Sequence, residues 1–185
     1  MKGEIFVDFA KMIGERYGLI VADQLLSDPA LDSKGAYTRV GTYDHAEMIH
    51  LVVSLANLKN VDPALLQREF GRYLFSCLAS AHMEFVENYR STFDLILSIE
   101  NAIHVNVRKL YPDASLPTID TVRLDDRTIR LKYSSERGFG HVCHGLIEGC
   151  IAYYGEDIAV EREDISQGPL DKTCTFRLIK NETAR

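Results

Sequence analysis

Along the first 110 positions apolar residues recur at spacings of three and four, and beyond position 117 they alternate with polar ones. Ile5, Phe6, Phe9, Met12, Ile13 and Ile20 predict a helix near the start, loosened toward its far end by Gly14 and Gly18. A loop rich in Pro, Gly, Asp and Ser follows at SDPALDSKG. Asp44 and Glu47 then stand three apart, like a capping box, before an apolar stripe of Met48, Leu51, Val52 and Leu55. Asp62 followed by Pro63 marks another helix start, an N-cap with proline at the first helical position. That helix carries Leu65, Leu66, Phe70, Leu74, Phe75 and Leu78. A long helix over roughly 91–110 presents Phe93, Ile96, Leu97, Ile103, Val107 and Leu110, and Pro112 and Pro117 end it.

After Pro117 the period becomes two. TIDTVRL and RTIRLKY flank Asp125-Asp126 as a hairpin would, and EDIAVERE and KTCTFRLI form a second candidate hairpin. Between them Phe139, Val142, Cys143, Leu146, Ile147, Cys150, Ile151 and Tyr154 keep helical spacing until Gly155. There is no repeat, low-complexity tract or long linker. The fold class is α+β: a helical N-terminal part, then a four-stranded antiparallel sheet with one helix packed on it. At 185 residues the whole chain, 1–185, is read as one domain with two lobes.

Composition narrows the class. A net charge of −6 and a pI near 5.5 argue against a nucleic-acid surface, which needs clustered Lys and Arg. No apolar run approaches the about 18 residues of a membrane span. MKGEIFVDFAKMIGERYG places acids inside its apolar pattern and reads as a helix of the mature fold, not as a signal peptide. Cys77, Cys143, Cys150 and Cys174 form no CxxC pair, which suits reduced thiols in the cytoplasm.

Candidate chemistry is concentrated at two places. Of the six histidines, His45, His50 and His82 fall near helix ends and suit capping or surface roles. His104 lies at the edge of an apolar stripe. It reads either as a satisfied core residue or as a ligand, since a neutral imidazole facing an apolar cavity is what five-coordinate heme iron needs. The segment YSSER sets Tyr133, Ser135 and Arg137 at alternate positions, on one face if the segment is extended. Two hydroxyls and a guanidinium fork suit carboxylates or phosphate; the other reading is the solvated face of an edge strand.

His104 and the later YxSxR, in this order, resemble the heme nitric oxide/oxygen binding (H-NOX) family, bacterial relatives of the heme domain of soluble guanylate cyclase. The opening MKG, FGRYLF at 70–75, LSIENAIHVNVRKLYPDASLP, YSSER and GLIEG at 145–149 carry the likeness over almost the whole chain. The resemblance implies heme b held between a helical lobe of about 1–65 and a heme-binding lobe of about 66–185. It makes His104 the proximal iron ligand and Tyr133, Ser135 and Arg137 the donors to the heme propionates. It makes Pro117 the residue that presses on the porphyrin and Ile5 a contact from the distal lobe.

In oxygen-binding members a tyrosine projects from the helix after YxSxR. Here that place falls on Val142, or on His141 if the alignment slips by one residue. The other distal positions, Phe9, Leu74, Leu78 and Leu146, are apolar as well. Bound O₂ carries more negative charge than bound NO and depends on a distal donor, so the resemblance implies NO as the signal, with CO binding unselectively. Nothing in the sequence predicts an unusually strong bond to His104. Some members also hold zinc with one His and three Cys; the matching positions here are Gly140, Glu163, Ser166 and Cys174, too few for a tetrahedral site. Cys143, His144 and Cys150 have poor ligand spacing, and no metal beyond heme iron is expected.

The chain leaves no room for an output domain. The resemblance therefore implies a separate effector, a histidine kinase or a diguanylate cyclase. NO would break the iron bond to His104, and the lobes would rotate as the pressure on the porphyrin relaxes. The rival readings are an O₂-binding heme protein, a non-heme anion-binding module, and an enzyme, for which no nucleophile–base pair or paired acid stands out.

Overall fold

The computed structural model describes residues 1–164 and 168–182. Its helical part is α1 (Gly3–Tyr17), α2 (Leu19–Leu26), α3 (His45–Lys59) and α4 (Pro63–Ala81). After a short 3₁₀ turn come α5 (Thr92–Ser98), a π-helical segment (Ile99–Ile103) and α6 (His104–Leu110). Strands β1 (Thr118–Arg123) and β2 (Thr128–Ser134), helix α7 (Gly140–Tyr154), and strands β3 (Ile158–Arg162) and β4 (Thr173–Lys180) complete it. The sheet order is β1-β2-β4-β3, antiparallel throughout, so the two hairpins join through β2 and β4. The α+β architecture expected from the periodicity is the one observed.

Local chemistry explains the boundaries. Asp44 caps α3 by accepting from the Ala46 N–H at 2.9 Å, and Asp62 caps α4 by accepting from the Ala64 N–H at 2.7 Å. The box expected at Asp44 closes on one side only. Glu47 turns away to accept from Ser33 and Tyr37, tying the loop at 27–35 onto α3. The single N-terminal helix is two, because Gly18 adopts φ 93° and ends the first. Ile20, counted among its core positions, is therefore 85% exposed on α2, and Leu65 on α4 is 62% exposed. The 91–110 helix also divides. Its middle widens into the π segment, and Leu110 at its end stands 60% exposed.

Two cores result. The helical one gathers Phe6, Phe9, Met12, Leu51, Leu55 and Phe70; the other packs Phe93, Ile96 and Ile147 against Ile129, Phe176 and Leu178 of the sheet. Burying each such side chain contributes roughly 1.5–3 kcal/mol. Helices α4 and α7 join the cores at glycine contacts. A Cβ on Gly71 would lie 2.2 Å from the Val142 carbonyl oxygen, and one on Gly145 would lie 2.0 Å from that of Arg68. Backbone meets backbone there, and the Arg68–Glu148 ion pair closes its edge.

Candidate functional site

A cavity of about 400 Å³ opens where the two cores meet. From α1, α4 and α7 it receives Ile5, Phe70, Leu74, Leu78, Val142 and Leu146; from α5 through the loop before β1 it receives Ile96, Ile99, Ile103, His104 and Pro117. Tyr133, Ser135 and Arg137 also reach it. An apolar hollow with a few polar groups has the form of a small-molecule site.

His104 occupies the first turn of α6, immediately after the π segment, with its side chain 12% exposed. Its Nδ1 lies 2.9 Å from Glu100 Oε1, one turn back. That same oxygen accepts the Ile119 N–H at 2.8 Å, and Arg108 reaches Oε2 at 3.4 Å. Burial by itself would raise the Glu100 pKa, but these donors outweigh it and hold the carboxyl below its usual value. An ionised carboxylate only accepts, so Nδ1 carries the ring proton and Nε2 keeps its lone pair. Burial outweighs the Glu100 partner at His104 and lowers its pKa, leaving the ring neutral. Among the described residues Nε2 has no hydrogen-bond partner. The satisfied-core reading thus accounts for one ring nitrogen and leaves the other open to a metal.

The YSSER face is not a strand face. Strand β2 stops at Ser134, where the backbone turns: the Ser135 N–H donates to Lys172 O at 2.8 Å, and the Arg137 N–H donates to Ser135 Oγ at 3.2 Å. Gly138 at φ 70° completes the reversal, and the Phe139 N–H donates to Tyr133 Oη at 3.2 Å. The three side chains meet at the cavity because the turn folds Ser135 and Arg137 over it, not through alternation. Burial lowers the Arg137 pKa. The half-buried guanidinium has no anionic partner among the described residues, an arrangement that suits a ligand carboxylate.

On the α4–α7 wall Val142, Leu74, Leu78 and Leu146 line the cavity as expected, but Phe9 does not. It is fully buried one layer back, edge-on to Phe70 with ring centroids 4.8 Å apart, and Phe70 takes the lining position. His141 also lies outside the lining. Its Nε2 is 3.0 Å from Gly168 O and 3.1 Å from Asp171 Oδ2. Tyr73 donates outward to Glu15 at 2.8 Å. Of the family's zinc positions, Ser166 lies outside the described residues. Gly140 adjoins Cys174, and beside them the Arg162 guanidinium bridges Asp164 and Asp171. Among the described residues no group of three His, Cys, Asp or Glu is placed to hold a metal ion.

Glu100 is the functional residue that the sequence reading missed. Its signal was the i, i+4 spacing to His104 on one helix.

The haem-NO-binding family model matches residues 2–162. This chain belongs to the haem-NO-binding, or H-NOX, family. No curated protein matches it, but solved H-NOX structures do. The unliganded Fe(II) H-NOX protein from K. algicida is 30% identical, with 100% of this chain and 99% of that one covered and a TM-score of 0.91. An H-NOX protein from S. oneidensis in the Fe(II)NO state is 27% identical over 98% of this chain and 100% of that one, with a TM-score of 0.90. The IWP-051-bound H-NOX from Shewanella woodyi in the Fe(II)CO state is 38% identical over 98% of this chain and 95% of that one, with a TM-score of 0.82. H-NOX domains are heme-binding gas-sensor domains, and heme is the cofactor of this one. Among the described residues no helix is long and apolar enough to cross a membrane.

Proposed function

We propose that this H-NOX chain senses nitric oxide at ferrous heme b, with CO as an unselective ligand, and signals to a separate protein. The observation that carries the reading is the contrast between one open imidazole nitrogen on the α6 wall and an α4–α7 wall of apolar side chains whose only polar side-chain atoms, the Cys143 and Cys150 thiols, are weak donors. O₂ needs a distal donor that NO does not, and both candidate donors, His141 and Tyr73, are engaged elsewhere. Relatives from S. oneidensis and S. woodyi have been solved with NO and CO, which supports the same ligand class here.

Bound in the cavity, heme supplies a ferrous iron that takes a histidine nitrogen and a diatomic gas. His104 offers Nε2, held in its tautomer by Glu100. Tyr133, Ser135 and Arg137 grip the propionates, while Pro117 and Ile5 press on the macrocycle. When His104 is released, the α6 wall relaxes and the lobe of about residues 1–65 turns against that of about 66–185. The glycine contact between α4 and α7 lies inside the second of these lobes and keeps its wall rigid while the first turns. The chain itself is non-catalytic, its partner is a separate histidine kinase or diguanylate cyclase, and its four free thiols suit a reducing cytoplasm.

His104→Gly tests this. The variant should hold heme only when imidazole is supplied. In the rescued protein the new ligand is no longer tied to α6, so NO should bind without altering hydrogen exchange in α1 and α4, whereas wild type should respond. Heme retention without imidazole, or a wild-type exchange response to NO in the rescued variant, would contradict the role given to His104.

A further inference from the structure

Glu100 is doing more than capping a turn. It stands in the π-helical segment, a form found mostly as single-turn insertions at functional sites. One of its oxygens, Oε1, takes both the His104 Nδ1 proton and the Ile119 N–H. Ile119, the second residue of β1, stands two residues after Pro117 and pairs in register with Tyr133. A single carboxylate oxygen thus ties the open imidazole to the strand pair that carries the first residue of YSSER.

We propose that Glu100 is a positioning residue that sets how firmly His104 holds iron. Its carboxylate draws the Nδ1 proton toward itself, which leaves more negative charge on the ring and makes Nε2 a stronger donor. A carboxylate acceptor gives a charge-assisted hydrogen bond, roughly twice as strong as a neutral one. The sequence alone offers no reason for an unusually strong bond at His104; the structure supplies one. This chain therefore keeps His104 attached after NO arrives for longer than a neutral acceptor at position 100 would allow. The same oxygen carries any movement of His104 to Ile119, and so to the Pro117 end of the cavity.

This inference rests on His104 being the heme ligand, and its test separates the two. In the ferrous, gas-free, heme-loaded full chain, resonance Raman reads the iron–histidine stretch directly. Its absence from imidazole-free His104→Gly identifies the ligand, while its persistence there overturns the heme assignment itself. Glu100→Gln keeps the shape and an acceptor oxygen but removes the charge. It should move the stretch to lower wavenumber and speed release of His104 after NO mixing by about ten-fold, the equivalent of about 1.4 kcal/mol. Glu100→Asp should restore part of both effects relative to Glu100→Gln. An unshifted stretch and unchanged release in Glu100→Gln would overturn the proposal. If that variant does not accumulate, proton NMR of the wild-type ferrous protein reads the same bond. An Nδ1 proton protected from solvent exchange is expected, and one exchanging freely would overturn the role of Glu100.

Discussion

The two walls of the cavity are built on opposite principles. The α6 wall is polar at its centre: His104, Glu100, the Ile119 N–H and Arg108 form one hydrogen-bonded chain across a widened helical turn. The α4–α7 wall faces inward with apolar side chains and two cysteine thiols, Cys143 and Cys150, and its rigidity comes from backbone contact at Gly71 and Gly145. A buried polar network holds its members in one geometry only when each is satisfied. A glycine seam instead excludes solvent by closeness. On the proposed function the difference divides the sensor's work, with one wall to hold and release a ligand atom and the other to set which gas is tolerated.

The seam is where the largest effect is expected. Gly145→Ala puts a methyl 2.0 Å from the Arg68 carbonyl oxygen, and neither helix backbone can yield without splaying the wall. Overpacking usually costs about 1–3 kcal/mol, and a clash with rigid backbone belongs at or beyond the top of that range. Thermal unfolding should register the loss. Gly14→Ala is the matched control, because its methyl would meet only the end of the Leu19 side chain at 3.3 Å. It should be neutral or slightly stabilising through helix propensity.

On the polar side, Arg137→Ala removes a half-buried cation that has no anionic partner among the described residues. A hydrogen bond to a charged group contributes about 1.5–3 kcal/mol, so transfer of heme to a scavenger should speed up roughly ten-fold or more. Heme retained as long as in wild type would mean that the turn after β2 grips something else.

The effect confined to the narrowest conditions, absent at neutral pH, separates two largely buried imidazoles. His144 lies on α7, outside the cavity lining, with its ring 5.0 Å from that of Phe176. Burial, helped by the charge of Arg68, lowers its pKa from 6.5 to about 4. Between those values the unfolded chain binds a proton that the folded chain refuses, so stability falls as the pH drops from about 6.5 toward 4. At about 1.36 kcal/mol per pKa unit, and about 2.5 units between 6.5 and about 4, the loss reaches at most about 3.4 kcal/mol. His144→Phe should flatten this acid limb in denaturant melts while leaving heme binding unchanged. Any loss of heme in that variant would blur the distinction between the walls.

Much of this arrangement is legible in the sequence. Period-two stretches ended by Asp125-Asp126 and Gly155 specify the strands and the helix between them, because alternation reports burial directly. His104 stands out because an imidazole is out of keeping with an apolar stripe, and Arg137 because it closes a run of alternate donors begun by the Tyr133 and Ser135 hydroxyls. The misses share one cause. A spacing pattern assumes that each element keeps its geometry, and it cannot see where the geometry changes. Gly18 breaks the first helix, the π segment alters the phase around Glu100, and the chain turns before Ser135. Phe9 has the right period but lies one layer too deep, a distinction that depends on how α1 tilts against α4.

The most direct test of the account is a difference spectrum of ferrous, dithionite-free protein before and after air is admitted, set beside the spectrum with NO. The apolar α4–α7 wall predicts no stable oxy spectrum and a clear response to NO, with an oxy species emerging in Val142→Tyr once a donor is supplied. A stable oxy spectrum in the unmutated protein would contradict the claim that this wall selects NO.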